Sequence, residues 1–410
     1  MRPLMLPIEL YELAIDFLDD EESLKATSLV CRAWLPRSRL NLFRTVELCL
    51  PRHLNHLVDL LSDAPHLAEY VEQIDISENS LLGVLRPSMA IVARLPHALT
   101  LHPLLKPRRL AVHNQLWLPT RYSPDYLFSL SRLSSITSLD LFDVTFLTVA
   151  DFSIILRALH QLQFLSARHL DCQRQLDLGT AADVGCVLPF LTTLHVSSYY
   201  PTSVIDWLLQ HNRFPVLRDV RCSYELSPGD NTQGLGTFWK NAGSTLEILA
   251  ISISKRSAGA RFSTTVVDAR ELTHTLAETQ LDLSSCCGLR ELRFDCRHER
   301  GVAPDWTWLT WLLSHLTCRT LRSIVFAFQS TSHALACVHT FAEELEAALT
   351  RSPFSAGLDS VVFKFDFRDP ADPDDERFLD MFPSLRSMNL FQGMPCAFAL
   401  YSLGCLSRSQ

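Results

Sequence analysis

A short apolar pattern returns along most of this 410-residue chain and limits the folds that the chain can form. The pattern is an apolar residue, two residues of any kind, a second apolar residue, one residue of any kind and a third apolar residue. Its instances are Val71-Ile74-Ile76, a shortened Leu110-Val112, Ile136-Leu139-Leu141, Leu162-Leu165-Ala167, Leu191-Leu194-Val196, Leu217-Val220-Cys222, Leu246-Leu249-Ile251, Leu289-Leu292-Phe294, Leu321-Ile324-Phe326, Leu358-Val361-Phe363 and Leu385-Met388-Leu390. Several lie 26 or 29 residues apart and one pair lies 43 apart. Such periods are typical of stacked repeats.

Helical stretches lie between these instances. Apolar residues recur at helical spacing within Thr148–His160, Thr202–His211, Trp306–Leu316 and Ala334–Leu349. A short strand followed by a helix cannot bury its apolar face alone, whereas stacked copies can. The sequence therefore predicts an α/β fold of stacked strand–helix repeats.

The L-x-x-L-x-L core resembles the leucine-rich repeat, and the resemblance implies an irregular leucine-rich-repeat-like α/β solenoid over residues 49–410. The family's asparagine after the strand is kept only at Asn79. The matching positions elsewhere hold Val144, Tyr199, Glu225, Ser254, Arg297 and Gln329. The insertions between the repeats are also uneven in length, especially at Arg256–Ser284. An ordinary α/β domain with a mostly parallel sheet is the alternative fold.

The first 46 residues follow a different pattern. Pro7 suits the first turn of a helix, and Ile8, Leu10, Leu13, Ala14, Phe17 and Leu18 fall on one broad helical face. The acidic turn Asp19–Glu22 interrupts that face, and Ser23 is a candidate cap for a second helix. A third apolar stripe begins at Leu29 and includes Trp34, with Pro36 near its middle or at a break. Three helices in so short a segment enclose too little apolar area to be stable alone.

This order of Leu6-Pro7, an acidic break and Leu29-Val30-Cys31-Arg32-Ala33-Trp34 resembles the F-box. The resemblance covers about one ninth of the chain, and Leu42-Phe43-Arg44 stands where many F-boxes carry a tryptophan. It implies a three-helix F-box-like module at residues 1–48 that docks a Skp-type adaptor and, through it, a cullin. The residues implied in adaptor binding are Leu6, Pro7, Leu10, Ile15, Leu24, Val30 and Trp34. The alternative is an N-terminal helical cap on the next domain.

The repeat register also predicts an outward surface, because residues between and after the apolar positions point away from the core. These candidate target-binding residues are Asp140, Phe142, Arg168, His195, Arg221, Arg293, Asp295, Lys364, Asn389 and Phe391. Their mixed charge and two aromatic rings suit a protein or peptide ligand. The alternative is that these residues only keep the sheet soluble.

Charge and composition exclude several classes of partner. A net charge of −8 argues against nucleic acid, and the uncharged runs at 184–205 and 387–407 are too polar to predict a membrane span. The chain begins without a secretory signal, so we expect it in the cytoplasm, the nucleus or both, with its twelve cysteines reduced.

The sequence contains only weak signals for a catalytic or metal site. Cys286, Cys287, Cys296 and His298 match no closed zinc pattern, and no glycines frame a nucleophile at Ser284-Ser285. We therefore expect no cofactor, no metal and no catalytic residue. The alternative is a hydrolase with a Ser or Cys paired in space with a His.

The sequence thus predicts a non-catalytic substrate-recognition adaptor of an SCF-type cullin ubiquitin ligase, which binds an unknown target protein through its repeats. The arrangement also resembles many fungal F-box proteins. The alternatives are a non-degradative F-box scaffold, or a protein-interaction solenoid that engages no cullin.

Overall fold

The computed structural model describes residues 7–77, 90–117, 129–173, 188–198, 203–226, 233–255, 283–296, 307–328, 342–350, 357–365, 378, 380–388 and 391–393. The chain divides into two compact units. The N-terminal unit holds residues 1–191 with 202–204 and 211–213, and the C-terminal unit holds the remainder. The predicted division between residues 48 and 49 remains a prediction.

The N-terminal unit opens with three short helices. They are α1 (Ile8–Asp16), α2 (Glu21–Val30) and α3 (Leu35–Phe43). Asp20, and not Ser23, caps α2: its side chain accepts a hydrogen bond of 2.7 Å from the Ser23 N–H, so the helix begins earlier than predicted. Pro36 lies in the first turn of α3, where its missing N–H has no helical partner to lose.

Among the described residues, a parallel sheet and three further α-helices follow in the N-terminal unit. The strands are β1 (Thr45–Leu48), β2 (Gln73–Ser77), β3 (Arg109–Trp117), β4 (Ser138–Phe146), β5 (Phe164–Arg168) and β6 (Asp171–Cys172). The helices are α4 (Pro51–Asp63), α5 (Ala90–Leu101) and α6 (Val149–Ala158). Strands β1 to β5 pair in chain order, each parallel to the next, and β6 pairs with β4.

The C-terminal unit repeats this organisation. Its strands are β7 (Thr193–Ser198), β8 (Asp219–Leu226), β9 (Ile248–Lys255), β10 (Glu291–Asp295), β11 (Ser323–Phe328), β12 (Ser360–Phe365) and β13 (Phe391–Gly393), all paired parallel in chain order. The α-helices described after residue 200 are α7 (Ser203–His211), of which residues 205–210 belong to this unit, α8 (Gln233–Ala242), α9 (Thr307–His315), α10 (Ala342–Thr350) and α11 (Pro383–Ser387). The helices predicted around 148–160, 202–211 and 306–316 are confirmed, and of the fourth, 334–349, the described part begins at Ala342.

The apolar pattern matches the sheet register in both units. In the N-terminal unit its middle residues are neighbours on adjacent strands and are buried: Ile74, Leu110, Leu139 and Leu165. The same row in the C-terminal unit is formed by Leu194, Val220, Leu249, Leu292, Ile324 and Val361. Each unit is therefore built from stacked strand–helix repeats, and the inner row of each sheet faces the helices.

A backbone hydrogen-bond ladder joins successive repeats where each strand begins. The Arg44 carbonyl accepts from the N–H groups of both Glu72 and Gln73, each at 2.9 Å, and the Glu72 carbonyl accepts from Arg108 and Arg109 at 2.8 and 3.0 Å. The same two-donor arrangement recurs at the carbonyls of Arg108, Thr137, Thr192, Arg218, Glu247, Arg290 and Arg322. Because it uses only backbone groups, this ladder does not need the asparagine of the leucine-rich repeat.

The last predicted repeat is wrong in its register. Pro383 begins the short helix α11, whose Leu385 is buried, and Met388 is 46% exposed. The strand forms only at β13, where the backbone of Phe391 pairs with Val361, an inner-row position. Phe391 therefore does not occupy the outer row predicted for it, and Asn389 lies outside the described residues.

Candidate interaction surfaces

Helix α1 carries an exposed apolar stripe. Leu10, Leu13, Ala14 and Phe17 follow the i, i+3, i+4, i+7 spacing that places side chains on one helical face. Leu10, Leu13 and Phe17 are 48%, 51% and 77% exposed. None of the described residues covers this stripe, although α1 belongs to a packed helical module. Contiguous exposed apolar side chains of this kind mark interaction sites on soluble proteins.

Helix α2 has a similar stripe near its C-terminal end. Ala26, Leu29 and Val30 share one face and are exposed, with Leu29 at 85% and Val30 at 61%. Of the predicted adaptor-binding residues, Pro7, Leu10 and Val30 are thus on the surface. Leu29, Leu13 and Phe17 extend the exposed apolar surface beyond the predicted set, while Leu6 lies outside the described residues.

The other predicted adaptor-binding residues are placed differently. Ile15 and Leu24 are buried at 2% and 6% exposure, because each lies on the helix face turned toward the module interior. Trp34 is half-buried and its ring centroid lies 5.3 Å from that of Tyr11. We therefore assign Ile15 and Leu24 to the packing of the module and not to its outer surface.

Polar contacts hold α1 against α3. The Arg37 side chain forms an ion pair with Asp16, with an Nε to Oδ1 distance of 2.6 Å. The Asn41 side-chain amide donates to the Ile15 carbonyl at 3.2 Å and to Asp16 Oδ1 at 3.0 Å. The Arg37 hydrogen bond lowers the pKa of the Asp16 carboxyl, and the Asn41 hydrogen bond adds to this against the opposing effect of burial.

This pKa shift predicts an acid-dependent loss of stability. A carboxyl whose pKa is lowered in the folded state contributes stability above its unfolded pKa, near 4, and loses it as the pH falls through the folded value. We expect Asp16→Asn to lower the free energy of unfolding by up to about 1 kcal/mol at pH 7, since the pair is partly exposed. The difference from wild type should shrink below about pH 4.

Thermal unfolding followed by circular dichroism from pH 3 to pH 7 measures this difference. The control is Asp59→Asn on α4, an exposed carboxylate for which no ion pair is formed among the described residues. An Asp16→Asn effect that stayed constant across this range would contradict the assigned role of the ionised carboxylate.

The structure brings together three of the predicted target-binding residues on the outer face of the N-terminal sheet. Arg168 on β5 donates from Nη2 to both carboxylate oxygens of Asp140 on β4, at 3.2 and 3.1 Å. Its guanidinium carbon lies 5.1 Å from the centroid of the Phe142 ring, within the range of a cation–π interaction. Asp140, Phe142 and Arg168 thus form one cluster.

Three further residues of this surface were not predicted. His113 on β3 and His169 flank the Phe142 ring, with centroid distances of 6.1 and 5.4 Å. Asp75 on β2 accepts from the Gln73 side chain at 2.8 and 3.1 Å. Burial raises the pKa of Asp75, and the carboxylates of Glu47 and Asp140 add to the increase against the hydrogen bond from Gln73. Burial also lowers the pKa of His169.

A residue with a positive φ angle recurs in the turn after the strands, and its residue type is a signal in the sequence for this surface. Asn114, Asp143 and His169 follow the last apolar residue of their repeats by two positions, and all three have positive φ angles of 53°, 53° and 54°. Asn, Asp and His are the non-glycine residues most often found in this left-handed region. The asparagine of the leucine-rich repeat is expected one position later, so the leucine-rich-repeat pattern does not indicate this turn.

The C-terminal sheet carries five more of the predicted target-binding residues on its outer face. His195, Arg221 and Arg293 lie in one register row, and Asp295 and Lys364 lie in the next. The two arginines pair with acids on their own strands: Arg221 lies 3.5 Å from Asp219, and Arg293 forms an ion pair with Glu291. These contacts balance the arginine charges locally.

The cysteines considered as metal ligands lie in the repeat framework. Cys286 and Cys296 are buried and Cys287 is exposed, while His298 lies outside the described residues. The Cys286 carbonyl accepts from the Leu289 N–H at 3.2 Å in the turn before β10. In the described ranges, no three His, Cys, Asp or Glu side chains are grouped to hold a metal ion. No helix within those ranges is long and apolar enough to cross a bilayer.

Comparisons with known proteins do not place the chain in a family. No family model matches it, and no curated protein matches it. Solved structures do match, and one is the crystal structure of a Bacteroides fragilis protein that was a structural-genomics target. The chain is 14% identical to that protein, the match covers 74% of each chain, and the TM-score is 0.38. The fold described above accordingly rests on the chain's own strand register and helices.

Proposed function

We propose that this protein is a non-catalytic substrate-recognition adaptor of an SCF-type cullin ubiquitin ligase. In this proposal α1 to α3 dock a Skp-type adaptor, and the outer faces of the repeat sheets bind a target protein. Ubiquitin transfer takes place on other subunits, and this chain contributes proximity and orientation. Such a role belongs in the cytoplasm or the nucleus.

One observation carries the proposal: the three-helix module packs through one face of α1 and leaves a second apolar face of α1 in solvent. Ile15 is buried on the first face, whereas Leu13 and Phe17 are exposed on the second. A helix that served only as a cap on the next domain would need one apolar face. The second face supports a partner protein as its occupant, and the resemblance to the F-box favours a Skp-type adaptor as that partner.

The attachment of the module to the sheet supports a fixed distance between adaptor and target. Helix α3 packs against the turn Pro65–Tyr70, and the residue after it, Arg44, joins the backbone ladder. The Arg44 side chain also forms an ion pair of 2.9 Å with Glu72. The helices and the first strands therefore share one set of contacts, without a linker between them.

The test is binding of the purified full chain to a purified Skp-type adaptor, measured by isothermal titration calorimetry. We expect Leu13→Asp to weaken binding about tenfold or more, because the variant places an unpaired carboxylate in an apolar contact. The substitution should not disturb folding, since Leu13 is 51% exposed.

The matched control is Leu101→Asp, the same change at a leucine of α5 that is 56% exposed. This control should bind the adaptor as the wild type does. Equal loss in both variants, or no binding by a folded wild type, would overturn the proposal. Co-purification of a cullin with the bound adaptor distinguishes a ligase subunit from a non-degradative scaffold.

A further inference from the structure

The first strand of the N-terminal sheet has an open edge. Among the described residues, β1 (Thr45–Leu48) has one strand neighbour, β2, in the register Thr45 to Gln73 and Glu47 to Asp75. An edge strand presents a row of backbone N–H and C=O groups that can pair with another chain, and proline or lysine residues often protect such edges. The β1 sequence Thr-Val-Glu-Leu contains neither of them. This edge is therefore a candidate site for an added strand.

The backbone groups of Thr45 and Glu47 point to this open side. The Gln73 N–H donates to the Arg44 carbonyl at 2.9 Å, so the backbone groups of Gln73 point toward β1. Residues at one register position of a parallel sheet direct their backbone groups the same way, and the direction alternates along each strand. Thr45 and Glu47 share the register positions of Gln73 and Asp75, so their backbone groups point away from β2. In the part of the chain that the structure describes, no hydrogen bond is formed by these groups.

The buried inner row of the sheet is also incomplete at β1. Val46 is half-buried, whereas its neighbours in the same row, Ile74 and Leu110, are 0% and 2% exposed. An apolar side chain placed beside Val46 would remove its remaining surface from water. On the outer side of β1, Glu47 is exposed and forms no ion pair among the described residues. A basic side chain beside Glu47 would complement its charge. The edge therefore fits a strand that alternates apolar and basic residues.

Building on the proposed function, we propose that the open edge of β1 binds an extended segment of the target protein as an additional parallel strand, with apolar residues at alternate positions and Lys or Arg between them. In strand addition the main-chain hydrogen bonds supply affinity and the alternating side chains supply specificity. The parallel direction continues the existing ladder, because a carbonyl of the added strand would accept from the Thr45 N–H as the Arg44 carbonyl accepts from Gln73.

The size of the edge favours a flexible segment over a second copy of this chain. Strand β1 has four residues, which corresponds to a length of about 13 Å. Two rigid edges of this length would bury far less than the roughly 800 Å² per partner of a stable protein complex. An extended segment needs only the row of backbone bonds and the side chains that flank it.

The probe for this proposal is the fluorescein-labelled peptide Lys-Val-Lys-Val-Lys-Val-Lys, titrated with the full chain and followed by fluorescence anisotropy. In a parallel added strand the valine side chains lie beside Val46 and Leu48, and the valine N–H groups donate to the carbonyls of Thr45 and Glu47. N-methylation of the valines should therefore weaken binding at least about tenfold, whereas N-methylation of the lysines should leave it unaltered. Both methylated peptides carry the same charge, so attraction to a chain of net charge −8 does not distinguish them.

A backbone variant of the chain tests the same edge. Glu47→Pro removes the outward N–H of residue 47 and places a ring where the added strand would lie, so peptide binding should weaken at least about tenfold. Proline is tolerated on a sheet edge where the N–H faces solvent, so this variant should fold. The matched control is Glu21→Pro at the first residue of α2, where proline loses no hydrogen bond, and it should bind as the wild type does. Glu47→Gln keeps the N–H and should weaken binding only about threefold.

Three results would overturn the proposal: no peptide binding by the folded wild type, equal binding of the two methylated peptides, or equal loss in Glu21→Pro and Glu47→Pro. A wild type that sediments as a dimer and becomes monomeric as Glu47→Pro would also overturn it, since a second copy would then occupy the edge. The peptide comparison uses the wild type and so does not depend on the folding of a variant. Leu13→Asp should retain peptide binding, and Glu47→Pro should retain binding of the Skp-type adaptor, so failure of either test is a separate result.

Discussion

Replacing Phe363 with alanine should lower the free energy of unfolding of the C-terminal unit by about 4 kcal/mol. Phe363 is 1% exposed, and its ring lies in a buried aromatic group. The ring centroid is 5.1 Å from that of Phe326, 5.0 Å from Phe378 and 5.3 Å from Phe382. Alanine would leave a cavity among rings that cannot all close on it, and the aromatic pair contacts would be lost as well.

Urea unfolding followed by circular dichroism measures this loss. The control is Phe190→Ala, the same substitution at a phenylalanine that is 48% exposed, and it should change the unfolding free energy by less than about 1 kcal/mol. A Phe363→Ala midpoint equal to that of the control would show that the aromatic group is not a main source of stability in this unit.

The second large effect is expected at a glycine that lies directly against the next repeat. A Cβ atom at Gly243 would lie 2.9 Å from the Ser285 carbonyl carbon, 3.0 Å from its oxygen and 3.1 Å from the Cys286 nitrogen. All three are backbone atoms of the turn that precedes β10, so no side chain can move aside. We expect Gly243→Ala to cost about 3 kcal/mol, the upper end for overpacking.

The same urea unfolding experiment tests this prediction. Ser244→Ala places alanine at the next position, where the residue is exposed and already has a Cβ atom, and should be close to neutral. If Gly243→Ala proved as stable as Ser244→Ala, the close stacking of the turns at Gly243 and Ser285 would be wrong.

The apolar pattern by itself was sufficient to predict most strands. A strand buried on one side must place apolar residues at alternate positions, and Leu139 and Leu141 do so with 0% exposure. The same pattern gave a wrong prediction near the end of the chain. Leu385 is apolar at a matching position, but it belongs to a helical turn that begins at Pro383. A short apolar run does not distinguish a strand from a helical turn.

Apolar spacing also predicted the helices of the N-terminal module but not their buried faces. The apolar residues of α1 include Leu13 on the broad apolar face and Ile15 off that face, and their spacing does not indicate which of the two is buried. Packing against α3 determines which face of α1 is buried. The contacts of Arg37 and Asn41 with the end of α1 turn Ile15 inward and leave Leu13 in solvent. An adaptor-binding role for Ile15 was therefore a reasonable prediction that burial does not support.

The sequence alone determined the repeat period, the inner rows of the sheets and the presence of three N-terminal helices, because these depend on the local spacing of apolar residues. Only the tertiary structure decided which polar side chains contact each other. Strand register follows the apolar pattern and brings equivalent positions of successive repeats into one row, as it does for Asp75 and Asp140. The contacts of Arg168 with Asp140 and Phe142 depend on side-chain packing between two strands, which the pattern within one strand does not specify.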